Sequence, residues 1–527
     1  MKGFKRLFQK KETDIPGPKL DSEKNIKQKL PKDLEKKQEL IKPFIIKSKD
    51  VISRSFMIQG EKNISAVVIY LEGVIDSDIL NRDILKPLMI KTSIEETLKQ
   101  EGTKHFIERI YRSTLTIGQV QKVNTLAELV QNIYDGFAVL LFDGFTEALM
   151  LDIRLAQERS VEEPDTEKTL RGPREGFIEN LVTNIAIIRR KIRDPNLVVE
   201  KTMVGKRTRT DLAFLYIEDI ADPKIVSEVK NRINKINIDG ILTTGYIEQL
   251  MEDNPYSFFP QIQVTERPDK VAANLLEGKV AIMANETPVV LIVPSLFVQF
   301  LQGSEDYYER TITSSFSRGL RFLAFFLAIS LPPLYIALVS FEQELIPLKL
   351  ILSLAEARKQ VPFPAAIEAL AMEIIIQLMV ETGLRLPSSV GQTVGVVGAI
   401  VLGQAAISAD LASPAIVIII AVTTICNFAL PTYSMALTVR IIRIPMMLLA
   451  SAFGIFGFSI GWVIILTHLI SLESVSVPYF TPFAPLRFKD LKDSFYRTFL
   501  WKMNNRPESI PTKDKKRQSP IKGGTKK

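Results

Sequence analysis

Residues 446–470 read MMLLASAFGIFGFSIGWVIILTHLI, and this is the longest of the apolar runs that decide the fold of the chain. A helix of that length extends about 37 Å at 1.5 Å per residue. The hydrocarbon core of a bilayer is about 30 Å thick. The run therefore predicts a membrane-spanning helix.

The apolar residues are concentrated around this segment. From Leu320 to Ile470 the chain is dominated by Leu, Ile, Val, Ala, Phe and Gly, whereas the sequence on either side is charged and mixed. This uneven distribution indicates that residues 320–470 contact lipid and the flanking residues contact water. Residues 320–470 are therefore predicted to form an all-α polytopic membrane domain. Its candidate spans, about five, are Leu320–Phe341, Ala365–Glu381, Val390–Ile407, Ala415–Leu430 and Met446–Ile470.

Prolines supply candidate hinges within this domain, because proline removes a backbone donor and kinks a helix. The candidates are Pro332, Pro333, Pro362 and Pro364, although proline there can also simply end a helix. An earlier apolar stretch, Val289–Leu301, contains Pro294 and is too short to cross a bilayer. It is predicted to lie at the membrane surface.

The side of the membrane that each segment faces stays open. A count of five spans places Arg440 and Arg443 in a loop on the same side as the N-terminal head, which satisfies the positive-inside rule. The same count places the basic C-terminal tail on the opposite side from the head, which violates the positive-inside rule. An even count keeps the tail inside and misplaces other charges.

Ahead of the membrane domain, a two-lobed α/β soluble domain is predicted. In the first lobe Ala66–Leu71 and Phe137–Phe142 are short apolar runs suited to buried strands. Asp143-Gly144 then signals a hairpin. In the second lobe Glu175–Arg193 has one-face helical spacing, and Leu212–Ile217 and Ile236–Leu242 are the predicted strands.

One local pattern occurs in both lobes. Residues 70–76, YLEGVID, and residues 216–222, YIEDIAD, each lead from a strand into a helix that an aspartate can cap. Any strand-to-helix turn can look like this, and a duplication of one α/β unit gives the same pattern. Both explanations stay open.

The ends of the chain carry the excess positive charge, which totals +8. Lys-rich segments with few apolar residues bury too little surface to fold, so both ends are predicted to be disordered. Attraction to anionic lipid explains them better than nucleic acid does, because the lysines alternate with acids and lack aromatic partners. The predicted order is a basic arm (1–49), lobe 1 (50–155), a linker (156–174), lobe 2 (175–290), an interfacial connector (291–319), the membrane domain (320–470) and a basic tail (471–527).

Enzymatic chemistry is poorly supported. One cysteine, Cys426, and two histidines, His105 and His468, cannot build a thiolate metal site or a catalytic triad. Neither lobe has a Gly-rich phosphate loop, so no nucleotide or other cofactor is indicated. Residues 1–15 lack the apolar core of a signal peptide, which predicts a cytoplasmic head.

Glu373, Gln377 and Glu381 are the most informative residues of the membrane domain. Spacings of four place them within about 80° of one another on a helix. Because a carboxylate facing lipid is costly, this face has to meet water, protein or a counter-charge. In a symmetric oligomer each position becomes a ring, and acidic rings favour cations. Arg385 on the same face can instead pair with Glu381, and structural contacts between subunits remain the alternative. Glu368 is off this face and predicted at the water boundary.

Several glycines are predicted to allow close helix packing, which small residues permit in membranes. Gly391, Gly395 and Gly398 superficially resemble a phosphate fingerprint, but no strand precedes them and their setting is apolar. The full set of packing candidates is Gly391, Gly395, Gly398, Gly403, Gly457 and Gly461.

Many short motifs in unbroken order over residues 50–490 resemble the A subunits of bacterial spore germinant receptors, the GerA-type family. They include RGPREGF (171–177), TERPD (265–269), EDYY (305–308), PFP (362–364), ETGLRLP (381–387), GQ (391–392) and GQAA (403–406). One departure is ANETP (284–288), where the family has Val-Asp-Gly-Thr-Pro. The loss of that glycine puts the turn geometry there in doubt.

The resemblance implies a multi-pass protein of the spore inner membrane that senses a small nutrient germinant and triggers cation release. It also implies a B subunit of transporter-like fold and a C-subunit lipoprotein as partners, and a homo-oligomer, a pentamer, that forms the channel. Two rival functions remain. One is a secondary transporter of a small solute, against which no internal repeat is visible in the membrane domain. The other is a non-conducting scaffold of the receptor.

Overall fold

The computed structural model describes residues 28–58, 63–90, 106–155, 164, 167, 169, 171–385 and 401–519. An N-terminal domain of two α/β lobes precedes a helical domain, which confirms the predicted fold class. Two helices in these ranges are long and apolar enough to cross a membrane.

The first lobe is built on a five-stranded antiparallel sheet of order β1-β2-β4-β5-β3. The strands are β1 (Val51–Ile58), β2 (Ile64–Leu71), β3 (Val120–Val123), β4 (Ala138–Phe142) and β5 (Ala148–Leu151). Helices α1 (Leu34–Ile45) and α2 (Leu126–Tyr134) cover one face. The other face is covered by the short helical segments Ser77–Ile79, Leu80–Leu85, Lys86–Met89, Phe106–Arg109 and Ile110–Thr114. Burial on both faces explains why β4 is apolar at every position.

The second lobe repeats this arrangement, with an antiparallel sheet of order β6-β7-β9-β10-β8. Its strands are β6 (Leu197–Val204), β7 (Thr210–Ile217), β8 (Gln263–Thr265), β9 (Val280–Ala284) and β10 (Val290–Val293). Helices α3 (Leu181–Lys191) and α6 (Pro268–Leu276) cover one face, and α4 (Pro223–Lys235) and α5 (Thr244–Met251) cover the other.

The two lobes therefore share one strand order and one sequence of elements. The pattern noted at residues 70–76 and 216–222 occupies the same place in both, between the second strand and the following helix. Asp76 and Asp222 are both helix N-caps whose carboxylates accept backbone N–H bonds. Of the two explanations left open, the common topology favours duplication.

Some local predictions in the head need correction. The Asp143-Gly144 hairpin forms as expected, but the helix predicted from Glu175 begins only at Leu181, because the Asn180 side chain caps it by accepting from the Thr183 N–H. Ile236–Leu242 is not a strand. The predicted interfacial connector is also wrong at its start, since β10 is a buried strand of lobe 2.

The turn between β9 and β10 shows the effect of the missing glycine. Glu286 has φ +65°, in the left-handed region that glycine occupies without strain. The turn thus keeps a left-handed residue even though a side chain has been added there.

A buried ion pair joins the two lobes. Asp50, immediately before β1, accepts from Arg189 of α3 at 2.7 and 2.9 Å, and both side chains are at most 2% exposed. The Ser48 hydroxyl accepts from Arg189 at 2.6 Å and from the Val199 N–H at 3.1 Å, and it donates to Asp50 at 2.8 Å. Ser48 therefore completes the coordination of both charges.

Replacing Ser48 by alanine should lower the free energy of unfolding of the head by about 1–3 kcal/mol, because buried polar partners are left unsatisfied. Chemical denaturation followed by circular dichroism measures the change. The matched control is Ser53→Ala on the exposed part of β1, which should stay within about 0.5 kcal/mol of the parent. Equal effects of the two variants would contradict a special role for Ser48.

The helical domain contains α7 (Thr311–Ser340), α8 (Leu348–Arg358), α9 (Ala365–Arg385), α10 (Pro414–Phe428) and α11 (Tyr433–Ser471). Helix α8 was not predicted. Residues of α9 and α10 pack on the second half of α7, around Tyr335 and Ile336. The N-terminal ends of α9 and α10 meet through Glu368 and Ser413, so the two helices run in the same direction.

Helix α11 is a hairpin rather than the single long span that was predicted. Gly454 has φ +61° and ψ −139°, which interrupts the helix, and only glycine adopts that conformation readily. Beyond it the chain runs back along itself, because Gly457 lies against Leu449 and Gly461 against Met446. The two arms, 433–453 and 455–471, extend about 31 Å and 25 Å at 1.5 Å per residue.

The ends of the chain are more ordered than predicted. Within 28–49, α1 packs on lobe 1 and the buried Lys37 amino group donates to the carbonyls of Phe142 and Phe145, both at 2.5 Å. The tail returns to lobe 2, where Ile510 joins the core and Thr512 pairs with Ala221. Disorder is therefore the wrong prediction for the described parts of both ends, since a few apolar residues among the lysines suffice to dock them.

Candidate functional site

Glu373 of α9 is buried inside the helical domain. Its side chain meets Arg443 from the first arm of α11, whose Nη1 donates to the two carboxylate oxygens at 2.7 and 2.8 Å. Glu373 is 5% exposed and Arg443 2%. Paired charges of this kind are tolerated in an apolar surrounding only when each satisfies the other.

Arg443 also bonds to α7. Its Nε donates to the Ala328 carbonyl at 2.7 Å. Ala328 lies four residues before Pro332, which has no N–H, so the helix itself leaves this carbonyl without a partner. One guanidinium therefore joins α7, α9 and α11. Pro332 and Pro333, proposed as hinges, lie inside α7, which is helical through both.

The other residues predicted on the acidic face of α9 are placed differently. Gln377 is half-buried and Glu381 is exposed, within electrostatic range of Arg440. The side chain of Arg385 lies outside the described residues. Of the alternatives left open for this face, a counter-charge is found for Glu373, and the described residues leave the surface beside Glu381 uncovered. Ile374 and Leu378 are 56% and 63% exposed there.

Glu368, predicted at the water boundary, is instead 1% exposed. Its Oε1 accepts from the Ser413 N–H and hydroxyl, each at 2.5 Å, and its Oε2 is 3.6 Å from Arg358. Ser413 is the N-cap of α10, so the carboxylate sits at the positive end of that helix. The prediction was wrong because neither partner is near Glu368 in sequence.

Sequence reasoning missed the role of the two arginines of α11. Arg440 and Arg443 were predicted in a loop, but both are buried within the first arm. Asn427 of α10 bonds to the first arm of α11 through both ends of its amide group. The amide oxygen accepts from Arg440 Nε at 2.6 Å, and the amide nitrogen donates to the Ala436 carbonyl at 3.0 Å. One feature of the sequence could have indicated this role. Arg440 and Arg443 are three residues apart beside a long apolar run, and that spacing places both on one helix face.

The remaining packing and hinge candidates are placed as follows. Pro362 and Pro364 lie between α8 and α9, with Pro364 just before the first residue of α9. A β-carbon added at Gly403 would lie 3.8 Å from the Val417 side chain, in ordinary van der Waals range. The other candidates of this kind, Gly391, Gly395 and Gly398, lie outside the described residues.

Three motifs of the family resemblance meet where lobe 2 joins the helical domain. Arg267, fully buried, donates to the Pro173 carbonyl at 2.9 Å and to Asp269 at 3.0 Å. The Tyr308 hydroxyl donates to the same Asp269 carboxylate. At Gly172, φ is +135° and a β-carbon would lie 2.7 Å from the Tyr308 ring, so this position requires glycine.

The start of α7 is clamped by the segment just before it, Ser304–Tyr307, and by the tail. Asp306 accepts from Arg318 at 3.2 Å and from Arg321 at 2.7 Å. The tail residue Asp493 accepts from Arg318 at 2.9 Å and from the Tyr307 hydroxyl at 3.0 Å. Burial raises the pKa of the Asp493 carboxyl, and the Arg318 charge partly offsets that effect. These bonds tie the start of α7 to the tail, which itself packs into the core of lobe 2.

This arrangement is suited to holding helices in position. Among the described residues, no group of three or more His, Cys, Asp or Glu side chains could hold a metal ion. The buried charges Glu368, Glu373 and Arg443 are used in an ion pair, helix capping and a carbonyl contact. Such networks favour one packing of the helices over others.

Comparison with known proteins identifies the family. The family model described as "Bacillus/Clostridium GerA spore germination protein" matches residues 39–509. Spore germination protein KA of Bacillus subtilis is 44% identical over 471 residues, covering 89% of this chain and 85% of that protein. Spore germination protein B1 of the same organism is 37% identical, covering 92% of this chain and 99% of that one.

Two further similarities extend the comparison. The uncharacterized membrane protein YfkQ of Bacillus subtilis is 41% identical, with 87% of each chain covered. The crystal structure of the N-terminal domain of the A subunit of the Bacillus megaterium spore germinant receptor GerK3 has 33% identity and a TM-score of 0.41, covering 52% of this chain and 99% of that one. This chain belongs to the GerA family of spore germination proteins, the A-type subunits of germinant receptors.

Proposed function

We propose that this chain is a multi-pass subunit of a germinant receptor in the spore inner membrane, with its head and tail both on the cytoplasmic side. The apolar helices α7 and α11 support the membrane assignment. The tail packs into lobe 2, so head and tail share one side and the number of crossings is even. Five spans were predicted, and the reversal of α11 at Gly454 adds one more crossing, which makes the number even.

The subunit assembles as a homo-oligomer, a pentamer, that forms a ligand-gated cation channel lined by the face of α9 that the described residues leave uncovered. The observation that carries this proposal is the division of α9 into two faces. Glu373 is bound inside the subunit by Arg443, whereas Glu381, about 80° around the helix from it, is exposed, as are Ile374 and Leu378. A ring of Glu381 carboxylates around an axis attracts cations, and the polar Gln377 lies one turn away on the same face.

Gating follows from the two attachments of the helical domain. A small nutrient, bound in a receptor that also contains a transporter-like B subunit and a C-subunit lipoprotein, shifts a closed-to-open equilibrium through its different contacts with the two states. The clamp of Asp306 and Asp493 on Arg318 carries that shift into α7. The contact of Arg443 with Ala328 passes it from α7 to α9.

Glu381→Gln should lower germinant-dependent K⁺ flux in liposomes that contain the complete receptor. A unit charge 4 Å from a permeating ion contributes about 1 kcal/mol in water, so we expect about a fivefold loss of flux. Assembly, measured by size-exclusion chromatography, should not change. Glu344→Gln, an exposed acid in the turn after α7, is the matched control and should leave the flux unaltered.

Other outcomes separate the rival functions. Solute counterflow would indicate a transporter, and the absence of any flux in the complete receptor would indicate a scaffold. Loss of assembly in Glu381→Gln would show that the carboxylate is an intersubunit contact rather than part of the ion pathway.

A further inference from the structure

One end of lobe 2 exposes an unusual number of large apolar side chains. They lie on α5 and the loops on either side of it, within residues 242–258, here called the 242–258 segment. Its exposed members are Leu242 (63%), Tyr246 (44%), Leu250 (48%), Tyr256 (96%) and Phe258 (57%). The inward side of α5, with Ile247 and Met251, is fully buried in the lobe 2 core. The exposed side chains are therefore a second apolar face on a short element that already has a core.

The segment lies beside the head-side ends of both arms of α11. The Thr438 hydroxyl, in the second turn of the first arm, donates to the Phe258 carbonyl at 2.5 Å. The Ser257 hydroxyl lies 2.9 Å from His468 Nε2, one turn before the end of the second arm. The exposed apolar surface continues from there along the first arm, with Leu437 at 37% and Ile441 at 39%.

We propose that the 242–258 segment is a lipid-contacting anchor that inserts into the headgroup layer of the membrane. This inference rests on the proposed membrane-spanning role of α11. If α11 crosses the bilayer, its head-side end is at the boundary between hydrocarbon and water, and so is the segment bonded to it. Tyrosines are enriched at that depth because their rings are apolar and their hydroxyls reach water. Large apolar side chains of membrane-surface segments are buried at the same boundary.

The charges of the segment are compatible with that location. Asp253 accepts from Arg232 at 2.6 Å and from the Val475 N–H at 2.8 Å, so its charge is compensated. Burial raises the pKa of Glu248 to about 7, with a further contribution from Glu252. The acidic groups that remain make zwitterionic headgroups better partners than anionic ones. Anchored in this way, lobe 2 is held at a fixed height above the bilayer.

Fluorescence quenching by lipid tests the anchor. Tyr256→Trp is introduced into the full chain carrying Trp501→Phe, and Trp462 of α11 remains as an internal reference. Nanodiscs are made with zwitterionic lipid brominated either near the headgroup or near the middle of the acyl chain. We expect headgroup-proximal bromine to reduce the emission added by residue 256 about twofold, as for an interfacial aromatic. Tyr111→Trp, exposed on lobe 1, is the control and should not respond.

The possible results are distinguishable. Quenching of Trp462 without quenching at position 256 overturns the anchor and leaves the membrane-spanning role intact. If neither brominated lipid nor iodide, a quencher dissolved in water, quenches the emission of residue 256, protein covers the segment. That result also overturns the proposal. A lack of quenching at both positions overturns the membrane-spanning role itself.

Discussion

Replacing Glu373 by glutamine should destabilise the helical domain by about 3–5 kcal/mol, the cost of removing one partner of a buried ion pair. Arg443 is 2% exposed and its guanidinium does not deprotonate in proteins, so the variant leaves an uncompensated positive charge between three helices. Unfolding in mild detergent can be followed through Trp462, whose Nε1 donates to Ser330 of α7 at 3.1 Å.

Two comparisons make this result specific to the pair. Glu381→Gln is the same substitution two turns along the same helix at an exposed position, and it should leave the unfolding transition nearly unchanged while lowering ion flux. The double variant Glu373→Gln with Arg443→Met removes both charges and should recover most of the lost stability. A normally stable Glu373→Gln protein with impaired flux would instead place Glu373 in the ion pathway.

The elements of the head could be predicted largely from apolar runs. β4 and the inner parts of β2 (Ala66–Leu71) and β7 (Leu212–Ile217) are apolar runs, because each is covered on both faces, and their positions were found within a few residues. Ile236–Leu242, INIDGIL, has four Ile and Leu residues among seven but is not a strand. Its Ile238 and Asp239 carbonyls accept from the turn before β7 instead. Pairing with a distant strand decides such a case, and composition does not contain that information.

The candidate site could be predicted only in part. A carboxylate in an apolar helix is costly unless it is paired, so the sequence alone predicted that Glu373 has a partner. The identity of the partner was not, because Arg443 is 70 residues away and the span count assigned it to a loop. Its bond to Ala328 depends on the register between two helices, which no local pattern reports.

The reversal of α11 shows the same limit. Hydropathy measures how apolar residues 433–471 are, and this is unaffected by the direction in which the chain runs. Gly454 and Gly457 were visible as glycines, and Gly457 was predicted to allow packing. That the packing partner would be the preceding part of the same helix follows only from the backbone angles at Gly454.

Gly457→Ala should separate the two arms of α11. A β-carbon at this position would lie 2.0 Å from the Leu449 carbonyl oxygen and 3.0 Å from the Phe453 side chain. The first of these atoms belongs to the backbone and cannot rotate away, so the second arm has to shift. Insertion into a packed site costs about 1–3 kcal/mol and occasionally more, and a backbone clash of this size should lie at or above the upper end. Thermal unfolding measures the loss, and Trp462 emission should change because its ring stacks on Phe326 at 5.2 Å.

The matched control is the same substitution at a helical glycine with open space around it. A β-carbon added at Gly383 of α9 would meet no atom of the described residues within 4 Å, so Gly383→Ala should stabilise the helix by about 0.5–1 kcal/mol through the lower entropy of the unfolded chain. Opposite signs for the two alanines are expected only if the arms of α11 are in contact. If Gly457→Ala were also neutral or stabilising, α11 would be a continuous helix, the tail would leave on the opposite side from the head, and the even number of crossings would be lost.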